Sequence, residues 1–248
     1  MNTVPKLRAY QNCTYTKQQA VALMQEHRRL DHIIQGTYGH AAHDGWVGCL
    51  VGCATQGDHF AFEVAFGIPE SVAVLADRIF ERQADDTAAN FAVEFFEVIQ
   101  AGADLSTVPP TFSATLIRQA IKDVPETPER EAVAHIASLF EKEAGHQAVT
   151  DQEWSEARAR AIDLALDPAL DLALDLDRAL ALELALDLDR ALACALDLDR
   201  ALAVDRDLAF ALDLDLKAAF FAALSSASAA DTAAEPAALA DDHQAVPI

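Results

Sequence analysis

The chain is short of basic residues and of cysteine. Its 248 residues include 18 Lys and Arg against 40 Asp and Glu, which gives a formal net charge of −22. A surface this acidic is repelled by nucleic acid and by anionic membranes, so we expect no direct binding to either. The four cysteines, Cys13, Cys49, Cys53 and Cys194, lack the density and spacing of a disulfide framework. These features predict a soluble protein of a reducing compartment, the cytoplasm.

Familiar catalytic and targeting motifs are also missing. The sequence has no Walker loop, no G-x-G-x-x-G, no H-E-x-x-H and no G-x-S-x-G. The opening residues have no apolar signal-peptide core. The longest run of apolar, glycine and cysteine residues, Trp46–Ala54, is far shorter than the roughly 20 residues that cross a bilayer. The sequence therefore indicates no particular reaction, and a non-enzymatic protein is favoured.

Glycine and proline punctuate only the first part of the chain, because neither occurs between Pro168 and Pro236. We predict an all-α protein with a globular helical domain over residues 1–148, a repetitive helical region over 149–224 and a disordered tail over 225–248. In the first domain, apolar spacing and capping residues predict helices over residues 17–35, 46–55, 59–66, 69–83, 87–100, 111–121 and 128–143.

The C-terminal half is dominated by a repeat rich in Leu, Ala and Asp. From Arg158 to Phe220 nearly every even position holds a large side chain, and the odd positions hold mainly Ala, Asp or Glu. The nonapeptide ALDLDRALA occurs three times. Such low-complexity sequence contains no catalytic residue pattern, so it predicts a scaffold or an interaction surface.

Alternation and composition of the repeat favour different structures. Alternation is typical of a β-strand with one apolar face, but strands usually run only 3–10 residues and this pattern has no turn residue to interrupt it. Leu, Ala, Arg and Glu favour a helix, which we predict, with a β-solenoid or partial disorder as alternatives. On a helix, two residues advance by about 200°, so Leu is distributed over all faces. Burial on several sides is then required, and we expect self-association or a protein partner.

Four segments of the N-terminal half resemble a known family. They are GTYG, GCLVGC with a histidine downstream, GIPESVAVLADRIFE and FFEVIQAGADLSTV, all within about residues 20–115. They are similar to the GC-x-x-GC core, the GIP-x-x-(L/V)A-x-L-x-D-x-IFE segment and the GADLS-like segment of an uncharacterised bacterial and phage family. Members often end in alanine-rich repeats, where this chain has Leu and Asp. The resemblance implies no activity.

The densest group of potential metal ligands surrounds GCLVGC. On a helix over residues 46–55, Cys49 and Cys53 share one face. With His59 and the loop histidine His43, they would complete the tetrahedral Cys2His2 set that Zn²⁺ takes. The spacing C-x3-C differs from the usual C-x2-C of zinc knuckles. The favoured interpretation is packing, because small residues four apart let another helix approach and buried free cysteine behaves as a small hydrophobe.

A thiol nucleophile is a further interpretation of the same segment. Cys49 or Cys53 would attack, His59 would act as the base and Glu63 would orient it. The sequence around the cysteines has no local signature of a cysteine protease. This hypothesis therefore depends on whether the groups meet in space.

Four other residues are notable. His27 and Asp31 are four apart on the helix predicted over residues 17–35, as a possible metal or proton-transfer pair, although the adjacent charged run is typical of a solvated face. We expect His135 at the edge of a core and Trp154 as an anchor for the helix that enters the repeat.

Three functions stay open from the sequence. The favoured one is a non-enzymatic binding or assembly protein that uses the repeat for self-association or to bind a protein partner, with no cofactor. The first alternative is a zinc protein, structural or hydrolytic, built on Cys49, Cys53 and His59. The second is an acidic mimic that inhibits a nucleic-acid-binding protein by imitating phosphate charge.

Overall fold

A computed structural model describes residues 7–43, 45–58, 61–165 and 216–232. Nine α-helices and one short hairpin make up most of the regular structure within these ranges, which confirms the predicted all-α class. The greater part of the repeat lies outside the described residues. The predicted helix, and the β-solenoid given as its alternative, concern those residues. Within the described ranges, none of the helices combines the length and the apolar character that crossing a membrane would require.

The first part of the chain forms five helices and a two-stranded antiparallel hairpin. The elements are α1 (Lys17–Arg29), β1 (His40–Ala42), β2 (Gly45–Val47), α2 (Leu50–Thr55), α3 (Phe62–Phe66), α4 (Glu70–Phe80) and α5 (Asp85–Val98).

The second part begins with a short 3-10 turn and continues with long helices. The elements are the 3-10 turn (Leu105–Thr107), α6 (Val108–Ala120), α7 (Pro128–Ala144), α8 (Asp151–Ala165) and α9 (Leu216–Thr232). Residues 225–232 are thus helical, whereas the sequence predicted that a disordered tail begins at residue 225.

The chain divides into two compact units, each described by itself. One comprises Met1–Leu105 with Leu224–Ile248, and the other comprises Ser106–Ala223. The predicted boundary at residue 148 falls between α7 and α8, and these two helices pack within the same unit.

Aromatic side chains fill the core of the first unit. Phe62 and Phe66 of α3 lie 4.9 Å apart between ring centroids, and Phe66 meets Phe96 of α5 edge-on at 5.1 Å. Phe95 lies edge-on to Phe96 at the same distance, and all four rings are fully buried. Such tilted pairs add to the free energy of burying large aromatic surfaces, so this cluster fixes how α3 packs on α5.

The second unit packs α6, α7 and α8 around aliphatic side chains. Ile117, Ile136 and Leu139 are buried at its centre. Trp154 lies 4.7 Å from Phe140 between ring centroids. This packing confirms Trp154 as an anchor of the helix that enters the repeat.

Helix starts follow the capping residues of the sequence. Thr127 caps α7 with Pro128 at its first position, as predicted, and its hydroxyl accepts the Arg130 backbone N–H at 3.2 Å. The helix predicted over residues 111–121 starts earlier, at Val108, because Pro109 and Pro110 lie in the first turn of α6, where backbone N–H groups have no intrahelical partner.

Candidate functional site

GCLVGC begins in an extended segment and ends in a short helix. The single helix predicted over residues 46–55 is wrong in its first half, because Gly45–Val47 pairs with His40–Ala42 as a strand. Gly48 then forms a bridge to the loop after α1: its N–H donates to the His32 carbonyl at 2.9 Å, and its carbonyl accepts from the Ile34 N–H at 2.9 Å. Only Leu50–Thr55 is helical.

Cys49 caps the start of α2. Its sulfur accepts the Gly52 backbone N–H at 3.3 Å. Cys49 thus takes the N-cap position, which Ser or Asp usually occupies at a helix start. A carboxylate oxygen of Asp77, from α4, accepts the Val51 N–H at 3.3 Å. The thiol and the carboxylate together satisfy two of the free N–H groups of α2.

Cys53 lies one turn further on, among backbone carbonyl groups. Its sulfur is 3.4 Å from the carbonyl oxygens of both His32 and Gly48 and 3.8 Å from that of Trp46. A thiol can donate its proton to these oxygens, whereas a thiolate would be repelled by their partial negative charge. The surroundings of Cys53 therefore favour the protonated thiol.

Burial reinforces the protonated form of both thiols. Cys49 is 1% exposed and Cys53 is fully buried. Burial raises the pKa of Cys53 to about 11, with a further contribution from Asp77. Burial, and then Asp77, raises the pKa of Cys49 well above its ordinary value. Because nucleophiles and metal ligands need the thiolate, neither cysteine is activated in this arrangement.

Gly48 and Gly52 allow the close approach that the sequence predicted, but not by a helix. A Cβ atom added to either glycine would lie within 3.0 Å of the Tyr38 carbonyl oxygen. The approaching segment is thus the chain around Tyr38, just before β1. Backbone atoms cannot move aside as a side chain can, so these two positions exclude any larger residue without a shift of the main chain.

In the part of the chain that the structure describes, no histidine joins the two thiols as a third metal ligand. His43 is exposed beside the hairpin turn, and His59 lies outside the described residues. Among the described residues, no group of three or more His, Cys, Asp or Glu side chains could hold a metal ion. The Cys49, Cys53, His59 and His43 set therefore stays a prediction, with only its cysteines placed near each other.

The predicted thiol nucleophile has a partly described geometry. Its base, His59, lies outside the described residues. The Glu63 carboxylate, predicted to orient that base, is exposed and accepts the Glu70 backbone N–H at 3.0 Å, at the start of α4. This contact gives Glu63 a capping role in the described structure.

The His27 and Asp31 pair on one helix face does not form. α1 ends at Arg29, earlier than predicted, and Asp31 takes the left-handed conformation with φ of 55°. The His32 N–H donates to the His27 carbonyl at 3.0 Å and the Asp31 N–H to the Arg28 carbonyl at 3.2 Å, which is a Schellman motif. His27 therefore meets His32 rather than Asp31, with ring centroids 5.6 Å apart.

The contacts of Asp77 and His32 with GCLVGC and its helix were not predicted from the sequence. Asp77 is the aspartate of the LADRIFE segment, so the family resemblance offered a signal, but spacing alone could not relate it to Cys49. No pattern around His32 in the sequence indicated a contact with GCLVGC. His135, expected at a core edge, is exposed on α7.

The second unit has an open groove between α6 and α7. Its volume is about 480 Å³, and Arg118 crosses it to form hydrogen bonds of 2.8 and 3.0 Å with the Glu141 carboxylate. None of the residues predicted as catalytic or metal-binding lines it.

Comparison with known proteins finds no relative, since no family model, no curated protein and no solved structure matches the chain. Two protonated thiols, a capping carboxylate and two glycines under a carbonyl oxygen form a tightly packed junction between α2, α4 and the hairpin.

Proposed function

We propose that the chain is a non-enzymatic assembly protein that associates through its Leu- and Asp-rich repeat. The observation that carries this proposal is the pattern of the repeat, in which Leu fills most of the even positions and mainly Ala and Asp fill the odd ones. A helix with that pattern exposes Leu on all sides, and an apolar surface of this extent is stable in water only when another surface covers it.

The described residues on both sides of the repeat support this proposal. Before it, Ala157 and Ala161 of α8 are buried against α7. After it, Phe220 of α9 is fully buried and meets Phe112 of α6 edge-on at 5.9 Å. Both ends of the repeat are therefore fixed to one compact unit, which would let the repeat present a surface without unfolding its neighbours.

The GCLVGC junction supports a non-enzymatic function as well. Its thiols are buried and favour the protonated state, and its glycines are needed for packing. Each of these features stabilises the fold, and none of them prepares a group to react with a substrate.

Substitutions in the three nonapeptides test the proposal. One variant replaces Leu with Asn at their second positions, and a matched control replaces the Asp that follows each Leu with Asn. The positions are Leu174, Leu186 and Leu196 in the variant and Asp175, Asp187 and Asp197 in the control. Both change three residues to the same side chain, so they separate apolar burial from a general effect of substitution.

Sedimentation velocity over a range of protein concentrations measures the outcome. We expect the unchanged chain to form oligomers and the Leu variant to dissociate at least about tenfold more readily, since each lost Leu removes about 2 kcal/mol of burial. The Asp variant should associate as well or better, because it loses like charge. Equal association of the Leu variant and the unchanged chain would refute the assignment to the repeat.

Salt dependence separates self-association from charge-driven binding of a cationic protein. Association through apolar surfaces persists or strengthens as salt rises, because added salt screens the repulsion between acidic chains. Binding as an acidic mimic would weaken steeply over the same range. Loss of all association in moderate salt would therefore contradict the proposal and favour the mimic.

A further inference from the structure

Two buried histidines lie at the C-terminal end of α1, His27 in its last turn and His32 just after it. His27 is 8% exposed and His32 is 4% exposed. Their ring centroids lie 5.6 Å apart, with 55° between the ring planes. In the Schellman motif that ends α1, these two positions commonly hold apolar side chains in contact. Here two titratable rings make that contact.

The pair connects α1 to the hairpin and to α2. The His27 ring forms a hydrogen bond with the Trp46 backbone in β2. The His32 carbonyl accepts the Gly48 N–H at 2.9 Å and lies 3.4 Å from the Cys53 sulfur. Through these contacts the pair meets the segment that positions GCLVGC.

The neutral form of His27 suits this position, and the charged form does not. Its Nδ1 atom is buried and has no hydrogen-bond partner among the described residues. Protonation would place a donor and a positive charge at that atom, beside a second imidazole. Burial lowers the pKa of His27, and the neighbouring His32 ring lowers it further, whereas the Trp46 backbone and Glu26 oppose the shift.

The titratable groups that surround the pair offer His27 little compensation. On α1 itself, Glu26 is exposed and bonded to Arg29 at 2.6 and 2.7 Å. α2 contributes the Cys53 thiol, which is neutral in its buried surroundings. The charged and polar groups between α1 and α5 pair with each other: Arg28 with Asn90, and Gln25 with Glu97. On the hairpin, Gly45 faces the His32 ring, and His40 and His43 are exposed.

We propose that protonation of His27, in contact with His32, is a pH-sensitive switch that loosens the hairpin and α2 from the end of α1 in mildly acidic solution. The direction follows from linkage. A histidine that titrates below its ordinary value of about 6.5 in the folded chain stabilises the closed arrangement above that pH. This contribution is lost as the pH falls below about 6.5, by up to tenfold in the closing equilibrium per pH unit for one proton.

Hydrogen exchange of the full chain, followed by mass spectrometry at pH 7.5 and 5.0 and corrected for the intrinsic rate, tests the proposal. Protection of residues 30–55 should fall by about tenfold or more at pH 5.0, while that of residues 128–144 in α7 stays constant. His27→Gln keeps a side-chain N–H donor but cannot be protonated, so the pH dependence should vanish in this variant. His135→Gln, an exposed matched control on α7, should behave like the unchanged chain.

Three results would overturn the switch. They are constant protection of residues 30–55 between the two pH values, an equal loss in His27→Gln, and a parallel loss in α7 that marks general unfolding. If His27→Gln does not fold, a proton NMR titration of the His27 ring in the unchanged chain decides. An apparent midpoint at or above about 6.5 refutes the proposal, and a clearly lower midpoint supports it.

Discussion

Gly52 is the residue of α2 that packs directly against the Tyr38 carbonyl oxygen. Replacing Gly52 with Ala would put a Cβ atom within 3.0 Å of that oxygen, a distance that real Cβ atoms do not tolerate. Because the obstacle is backbone, the strain must shift α2 or the segment before β1. We expect a loss of about 1–3 kcal/mol in stability, measured as a lower denaturant midpoint of the first unit.

Gly145 provides the matched control for this substitution. A Cβ atom there would meet its nearest neighbours, the Glu141 and Lys142 carbonyl oxygens, no closer than 3.4 Å. Gly145→Ala should therefore leave the midpoint almost unchanged. A Gly52→Ala protein as stable as Gly145→Ala would show that the close packing of α2 is not needed.

The two buried thiols should resist alkylation in the folded chain. With a pKa of about 11 for Cys53, roughly one thiol in a thousand is ionised at pH 8. We expect iodoacetamide at pH 8 to label Cys49 and Cys53 at least about tenfold more slowly than the half-buried Cys13, as measured by peptide mass mapping. Equal labelling of the three cysteines would contradict the packing interpretation.

Zinc content distinguishes packing from the alternative set of Cys49, Cys53, His59 and His43. The packing interpretation predicts that protein purified without chelator carries far less than one zinc per chain. Stoichiometric zinc, lost in a Cys49→Ala or Cys53→Ala protein that stays folded, would instead establish the metal site.

The sequence indicated which residues of GCLVGC pack closely, but it did not indicate what each of them does. The sequence predicted that Cys49 and Cys53 are close and that small residues permit close packing. The capping role of Cys49 was not predicted, because the helix was expected to start at residue 46. In the structure a strand ends at Val47, and α2 therefore starts directly after Cys49. Asp77 and His32 come from segments more than fifteen residues away, and only tertiary structure brings them to the cysteines.

Among whole elements, the start of α8 shows most clearly how a capping pattern in the sequence stabilises a helix. The Glu153 carboxylate accepts the Thr150 N–H at 2.8 Å and its hydroxyl at 2.9 Å, and the Thr150 hydroxyl accepts the Glu153 N–H at 3.2 Å. Thr150 followed three residues later by Glu153 is the sequence pattern typical of a capping box. We expect Thr150→Ala to cost about 1 kcal/mol, and Thr150→Ser, which keeps the hydroxyl, to cost much less. Urea midpoints of the second unit would measure the difference.

The same cap should depend on pH. Hydrogen bonds from Thr150, and then from Lys142, lower the pKa of Glu153 to about 2. A carboxyl whose pKa is lowered on folding stabilises the fold above its unfolded value of about 4.5, and this effect is lost as the pH falls from there towards 2. The stability difference between the unchanged chain and Glu153→Gln should therefore shrink over that window. A difference that stays constant would show that ionisation of Glu153 adds nothing to the cap.

Helix starts were predicted well where the capping residue and the first turn lie next to each other in the sequence. Thr127 with Pro128, and Thr150 with Glu153, each combine a cap and a first turn within four residues. The hairpin was missed because its strands are three residues long and carry no alternation. The helix predicted over residues 17–35 is longer than α1, because the first glycine after its start is Gly36. The chain ends the helix earlier, since Asp31 adopts the left-handed conformation without being glycine.

On the scale of the whole molecule, charge and apolar surface oppose each other. Residues 151–248 carry 21 Asp and Glu against 7 Lys and Arg, and the same region carries the regularly spaced Leu. Like charge disfavours association, and Leu burial favours it at about 25 cal/mol per Å² of apolar surface. The proposed assembly requires the apolar gain to exceed the repulsion, which it does most readily in physiological or higher salt.

Light scattering of the full, unchanged chain coupled to size exclusion, from high to low micromolar concentration, is the decisive measurement of self-association. Self-association through the repeat predicts a mass that is a multiple of 26.7 kDa at high concentration and that falls only on dilution. A mass of 26.7 kDa at every concentration, in moderate as well as low salt, would contradict it.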